Sequence, residues 1–412
     1  MKHHVLFIGL VWPEPDSSAA GVRMLQIIQS FLEQTYTVSF ACSAARSEFS
    51  FALESLGVSC HDIILNDSSF DMFISELNPT MVVFDRYITE EHYGWRVTEN
   101  CPTALRILDT EDLHCLRKAR HKVFKENREF TMNDLLVEET AKREIASILR
   151  CDVTWIISEY EMDLLKHIFN VDESLIYYLP MWVDSVGMLH ATPLQNQFHQ
   201  KLNFSFVGNF LHDPNWDAVL FLKKEIWPLI RKQLSQAELH IFGAYPSQKV
   251  MDLHNPKEGF IIRGRANSLD DVFEPTRVFL APLRFGAGIK GKLMEAMLRG
   301  VPSVTTPVGA ESMHGELPWN GCIEQEAEGI ADAAVSLYAN EQLWKDSVER
   351  GVQLIQSRYL KKDNSFVTHL EELYENLEIH RKQNFIGGLL QHQSLQATKY
   401  MSKWIELKKL LK

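Results

Sequence analysis

Between residues 284 and 307 the chain reads RFGAGIKGKLMEAMLRGVPSVTTP, a composition suited to holding an anion. Gly286 and Gly288, on either side of Ala287, let backbone N–H groups approach a ligand closely. A helix expected to start near Ile289 points its free amides and positive dipole end at the same place. Lys290, Lys292 and Arg284 add positive charge. On that helix Lys292, Glu295 and Arg299 share one face at i, i+3 and i+7, leaving Leu293, Met294, Met297 and Leu298 to pack. A carboxylate just behind a phosphate cradle can accept hydrogen bonds from a ribose diol, which makes Glu295 a ribose candidate. The alternative is that Glu295 only pairs along the helix with Lys292 or Arg299, worth about 0.2–0.5 kcal/mol per pair. Spacing alone leaves both open.

A second polar cluster is Leu108-Asp-Thr-Glu-Asp-Leu-His114. Asp109, Glu111, Asp112 and His114 can be read as metal ligands, or as the cap and acid-enriched first turn of a helix. Sixteen histidines show no H-x-H or H-E-x-x-H spacing, six cysteines show no C-x-x-C, and no D-x-D triplet occurs. Metal-independent chemistry and buried free thiols are expected. No cofactor is implied.

These residues need elements to position them. Apolar runs at 5–10, 37–41, 80–84, 104–108, 153–157 and 175–179 alternate with helical stretches, as do runs at 204–207, 239–242, 259–262, 278–280 and 301–305. Such alternation predicts parallel sheets with helical crossovers, an α/β architecture of two doubly wound, Rossmann-like domains. The alternation stops around Pro180–Asp184. The expected organisation is a first domain over 1–185, a linker over 186–202, a second domain over 203–362 and C-terminal helices over 363–412. Ser158-Glu-Tyr-Glu161 reads as a capping box that opens a helix. Ligands of doubly wound domains bind at the carboxyl ends of the strands, in the cleft. Gly21 and Arg23 follow the first strand, Gly208 and Asn209 the first strand of the second series, and Gly264 and Arg265 another.

At 412 residues with 45% apolar side chains and a net charge of −12, the chain is a globular protein of two ordinary domains. Nucleic acid is not an expected partner, since no basic face offsets the negative charge. No run approaches a membrane span, and the early-broken N-terminus does not read as a signal peptide, so a cytoplasmic location is expected. Residues 391–412 place Leu395, Met401, Trp404, Leu407 and Leu411 among lysines. This segment could dock on its own domain, lie on the inner face of a membrane, or join a second subunit as a homodimer.

The stretch 281–311 resembles the nucleotide-sugar signature of retaining glycosyltransferases with the GT-B fold: a Gly loop, Lys, then E-A-M-x-x-G-x-P-V-V-x-T-x-x-G. Glu295-Ala296-Met297, Gly300, Pro302, Thr305 and Gly309 stand in register. Many members carry two glutamates eight positions apart. Glu295 matches the second, and Ala287 stands at the first, so the chain is similar to the subgroup with a Gly-x-Gly-x-Lys loop. The resemblance implies two Rossmann-like domains facing across a cleft, with the last helix crossing back to the first domain. The donor would be a nucleotide-diphosphate sugar, UDP before GDP, and the acceptor a glycan, lipid-linked or small molecule. Retention would follow from front-face attack.

Residue by residue, the resemblance places Gly21 and Arg23 near the donor phosphates, Gly208 beside them, and Gly264 and Arg265 at the nucleobase. Gly286, Ala287, Gly288, Ile289, Lys290 and Lys292 form the cradle. Members often have Arg where Asn209 stands, which leaves Arg284 to supply the charge. They have histidine at a strand end where Asp109 stands, with His114 five residues on, so Asp109 and His114 would orient sugar or acceptor while Lys290 and Glu295 act on the donor. A non-catalytic binding module, or an epimerase or phosphorylase on the same fold, is the alternative.

Overall fold

The computed structural model describes residues 3–183, 198–361 and 364–411. Most of the expected linker and the expected 362/363 boundary lie outside these residues. Two parallel sheets form the frame. The first has seven strands, β1 (His4–Gly9), β2 (Thr37–Cys42), β3 (Ser59–Asp62), β4 (Met81–Asp85), β5 (Leu105–Asp109), β6 (Val153–Ile156) and β7 (Ile176–Tyr178), in the order 3-2-1-4-5-6-7. The second has six, β8 (Asn203–Val207), β9 (Leu239–Phe242), β10 (Phe260–Gly264), β11 (Thr276–Ala281), β12 (Ser303–Thr305) and β13 (Gly321–Ile323), in the order 10-9-8-11-12-13. Every central strand is an apolar run buried on both faces by helices, as parallel pairing demands.

In each sheet the strand order reverses once, between β1 and β4 and between β8 and β11. Such switch points open crevices at the strands' carboxyl ends. Two strands were not expected from the sequence. β3 (SCHD) and β13 (GCI) are short edge strands, half exposed, and neither needs nor has a continuous apolar run.

The chain passes between the domains twice, side by side: Val183 N–H donates to Tyr359 O at 2.7 Å and Lys361 N–H to Val183 O at 2.9 Å. After the second passage the helices Ser365–Glu375, Leu377–Gln383 and Phe385–Leu410 pack on the first domain. Phe366, Val367, Leu370 and Leu377 join the core formed by Phe31, Trp155 and Trp182. Arg381 donates to both Asp152 oxygens, at 2.8 and 2.7 Å, and to Ala104 O at 2.7 Å.

The first domain's core is therefore completed by the end of the chain. Phe366 is 4% exposed and its ring meets Phe31 and Trp155 edge-on at 5.8 and 5.9 Å. Phe366→Ala should lower stability by about 3–5 kcal/mol. Urea unfolding followed by tryptophan fluorescence measures this, and an unchanged first-domain transition would show that the C-terminal helices contribute nothing to that core.

Candidate functional site

A cavity of about 540 Å³ lies between the carboxyl ends of the two sheets. Its floor is where two helices meet head to head. The helix Ala19–Glu33 begins at Ser18, whose hydroxyl accepts from Gly21 N–H at 3.0 Å, and Ser18, Ala19 and Ala20 face the cavity. Opposite, Gly291–Leu298 begins at Lys290. The two starts are so close that a Cβ on Gly291 would stand 2.6 Å from the Cβ of Ala19. Two helix starts, and two positive dipole ends, therefore share one small volume. The second helix opens at Gly291, two residues later than expected.

Lys290 and Lys292 supply the charge. Lys292 reaches under Gly208, donates to Asn215 Oδ1 at 2.5 Å, and its Nζ lies 4.5 Å from the centroid of the Phe206 ring. A Cβ on Gly208 would come within 2.6 Å of that Nζ, so only glycine leaves the ammonium room. Burial pulls Lys292 from its ordinary 10.5 down to about 7. Lys290 is 7% exposed, donates to Gly288 O at 2.8 Å, and is pulled down to about 8, again by burial, with Glu311 opposing. Among the described residues neither lysine has a carboxylate within salt-bridge distance.

Other expected residues also reach the cavity: Asn209, Arg265, Gly286, Ala287, Ile289, Glu295 and His114 line it together with Gly208 and the lysines. Asn209 shapes the turn, its side chain accepting from Leu211 N–H at 2.9 Å and its carbonyl from Asn215 at 2.8 Å. Arg265 lies with its guanidinium 4.0 Å from the Phe49 ring centroid. Glu295 both lines the cavity and pairs with Arg299, which also holds Asp270 at 2.8 Å; the partner is Arg299, not Lys292.

Six expected residues do not line the cavity. Arg284 is sandwiched between Phe124 and Phe221 and grips Asp217 at 2.9 and 2.7 Å. Gly21 sits behind the helix start, where a Cβ would strike the Glu14 backbone at 2.5 Å. Arg23 and Asp109 are fully buried against each other at 2.5 and 2.6 Å, a structural pair below the cavity wall. Gly264, at φ +74°, turns the chain out of β10 toward Arg265. Gly288, at φ +65°, spends its amide on Glu161, at 2.9 Å, rather than on a ligand.

Some functional positions escaped sequence reasoning. Glu161 was expected as half of a capping box; Ser158 does cap, but the Glu161 carboxyl is turned inward to accept from Leu113 and Gly288 N–H at 3.0 and 2.9 Å. Arg86, Arg117 and Asn215 line the cavity from the first turns of the helices Arg86–Asn100, His114–Lys125 and Asp213–Phe221, and His212 from the position just before the last of these. In the polar cluster Glu111 and Asp112 line the cavity and Asp109 does not. The φ of Glu111, +59°, is costly for a non-glycine residue and turns it away from the strand direction of Asp109. Burial and the neighbouring Asp109 push its carboxyl up to about 8. Asp112 binds Arg117 at 2.8 Å and lies 3.4 Å from His114, which burial lowers to about 4. His114 is therefore neutral near pH 7.

Residues 201–340 match the family Glycosyl transferases group 1. Solved structures share the whole fold at low identity. Sucrose-phosphate synthase from Thermosynechococcus elongatus is 13% identical, with 92% of this chain and 99% of that chain covered and a TM-score of 0.64. S. aureus TarM, crystallised as a G117R mutant with fondaparinux, alpha-GlcNAc-glycerol and UDP, is 11% identical over 91% and 100%, TM-score 0.65. Anabaena HepE, in complex with UDP and glucose, is 13% identical over 92% and 99%, TM-score 0.62. No curated protein sequence matches the chain significantly.

The lysines make a pH prediction. Because burial lowers their values in the folded protein, the unfolded chain binds more protons between about pH 7 and 10, so the unliganded protein gains stability as pH rises through that window. A diphosphate would restore both charges. UDP binding near pH 8 should then take up protons and weaken as pH rises, read by calorimetry in buffers of different ionisation enthalpy. A buffer-independent enthalpy would refute the assignment of these lysines to the phosphates.

Proposed function

We propose that this chain, with its GT-B fold and a second domain matched by the group 1 glycosyltransferases, transfers a sugar from a nucleotide-diphosphate sugar to a hydroxyl acceptor. One observation carries the reading: two buried lysines without carboxylate partners among the described residues, set at the junction of two helix starts. Burying a charge without an opposite one is costly, and an anionic ligand offsets that cost. A diphosphate carries enough charge to engage both. Glu295 lies on the same helix one turn behind Lys292, where it can take the ribose hydroxyls, and Arg265 stands beyond β10 for the base. UDP is the favoured base-carrying half, in keeping with the UDP found in HepE and TarM.

In the proposed reaction the bond from the anomeric carbon to the diphosphate breaks while the acceptor oxygen forms its bond to the same carbon. Negative charge grows on the diphosphate. Lys290, Lys292 and the facing helix ends stabilise it, the part a metal ion plays in other glycosyltransferases. Ala287 offers no carboxylate on the sugar side of the loop. We therefore favour retention by front-face attack, the departing diphosphate accepting the acceptor's proton. Glu111, a cavity-lining carboxyl that burial and Asp109 push upward and that lies 3.5 Å from Arg23, takes over the orienting role first expected of Asp109. His114, neutral and edge-on to Tyr87 at 5.5 Å, stands beside it.

A panel of UDP- and GDP-sugars, monitored for released diphosphate and followed by NMR of the first-formed product, tests the assignment. The donor's anomeric configuration should persist; an inverted product would end the front-face mechanism, and no turnover with any donor would favour a binding module. Lys292→Met should weaken UDP binding by roughly tenfold or more, the loss of one charge-assisted contact. Glu111→Gln should leave UDP affinity unchanged while lowering kcat by about tenfold or more. Equal losses in affinity and kcat for Glu111→Gln would place that side chain on the nucleotide instead.

A further inference from the structure

The last helix, Phe385–Leu410, docks by one face only. Gln391 donates to Arg150 O at 2.7 Å, Lys399 pairs with Glu99, and Ser402, 2% exposed, accepts from Arg96 at 3.2 Å. Its other face carries Tyr400, Trp404, Leu407 and Leu411 at spacings of four, three and four, with Met401 beside them, and all five are more than half exposed. One turn of a helix separates each from the next, so they form a continuous stripe.

The charges beside the stripe have one sign. Between residues 385 and 411 Glu406 is the only acid, against four lysines, in a chain whose net charge is −12. Glu406 is turned away, accepting from Ser68 N–H at 2.9 Å. Lys408 lies over the Trp404 ring at 4.2 Å and Lys409 donates to Leu65 O at 3.3 Å, next to Ile64, itself 55% exposed. Among the described residues no carboxylate lies within salt-bridge distance of Lys403, Lys408 or Lys409.

We propose that this stripe seats the protein on an anionic membrane surface, the aromatic and aliphatic side chains entering the headgroup boundary and the lysines meeting lipid phosphates. Trp and Tyr with a polar tip, and lysines whose stems lie along apolar surface, are what an interfacial helix needs. The rest of this acidic molecule is repelled by such a surface, so the lysine-bearing face is the one that can approach it. A second copy fits less well: twofold pairing through the same stripe would bring lysines against lysines. Among the described residues no helix is long and apolar enough to cross a membrane, so the contact lies on the surface.

Co-sedimentation of the full chain with vesicles of phosphatidylcholine alone, and of phosphatidylcholine with phosphatidylglycerol, tests the proposal. Binding is expected to the second only, and to fall with added salt. Trp404→Asp and Leu407→Asp should each reduce it by roughly tenfold or more, with circular dichroism and Tm unchanged. Lys403→Glu combined with Lys408→Glu should abolish the preference for the anionic lipid. No binding by the unaltered chain, or equal binding by the variants, overturns the proposal. So does a dimer in sedimentation equilibrium that Trp404→Asp dissociates, which would assign the stripe to a second copy.

Discussion

The glycine loop belongs to the second domain but is fixed by side chains of the first. Arg120 donates to Gly286 O at 2.9 Å, Glu161 accepts from Gly288 N–H at 2.9 Å, and His121 stacks on Phe285 with ring centroids 4.3 Å apart and planes 6° from parallel. Arg120 also holds Glu311 at 2.7 Å, just beyond the following strand. The loop in this form depends on the two domains being together. Glu161 strengthens that dependence, because its one oxygen also takes Leu113 N–H, in the turn that carries Glu111 and His114. A single buried carboxyl thus ties the polar cluster of one domain to the cradle of the other.

Electrostatics divide the cleft accordingly. Most arginines in and around it are already spoken for: Arg86 by Asp85 and Arg117 by Asp112 in its lining, and beyond it Arg23 by Asp109, Arg120 by Glu311, Arg284 by Asp217 and Arg299 by Glu295. These pairs fix geometry and leave little net charge for a ligand. The two lysines instead rest on neutral oxygens, of Asn215 and of the Gly288 carbonyl. A compact ammonium on a neutral acceptor can exchange that contact for a phosphate oxygen, whereas an arginine locked to two carboxylate oxygens loses a bidentate pair in doing so. Among the described residues the cavity's positive charge without a carboxylate partner is that of Lys290 and Lys292, at the junction of the two helix starts, and of Arg265, against the Phe49 ring.

This division also explains what the sequence could and could not reveal. The central strands were legible because burial on both faces forces apolar runs, and the loop around Gly286 was legible because its glycines, lysines and following helix are contiguous. β3 and β13 were not, since edge strands carry no such requirement. Roles set by partners far along the chain were equally hidden: Arg284 looked free until Asp217, 67 residues away, was beside it, and Asp109 looked like the cavity residue until Arg23 covered it. Glu111 was named, yet nothing in the residue order shows the φ of +59° that turns it, with Asp112, toward the cleft.

The side-by-side passages of the chain between the domains bear on how a ligand would enter. Among the described residues the two passages are joined where Val183 bonds to Tyr359 and Lys361. Polar contacts join the domains around the cleft, Arg120 on Glu311, Tyr245 on Glu14 at 2.9 Å, Arg358 on Glu159 at 2.6 Å and Ser312 on Tyr160 at 2.9 Å, beside an apolar seam in which Ile157, Met181 and Val183 of the first domain join Ile289, Leu293 and Met294 of the second. The polar contacts exchange readily with water, unlike the packed apolar seam. The cradle is thus held partly by polar contacts whose loss costs little and partly by the apolar seam and the buried Glu161 bridge. A diphosphate bound between the two helix starts would add attraction from both domains at once. Closure and donor binding would then be coupled through the same two lysines and the same loop.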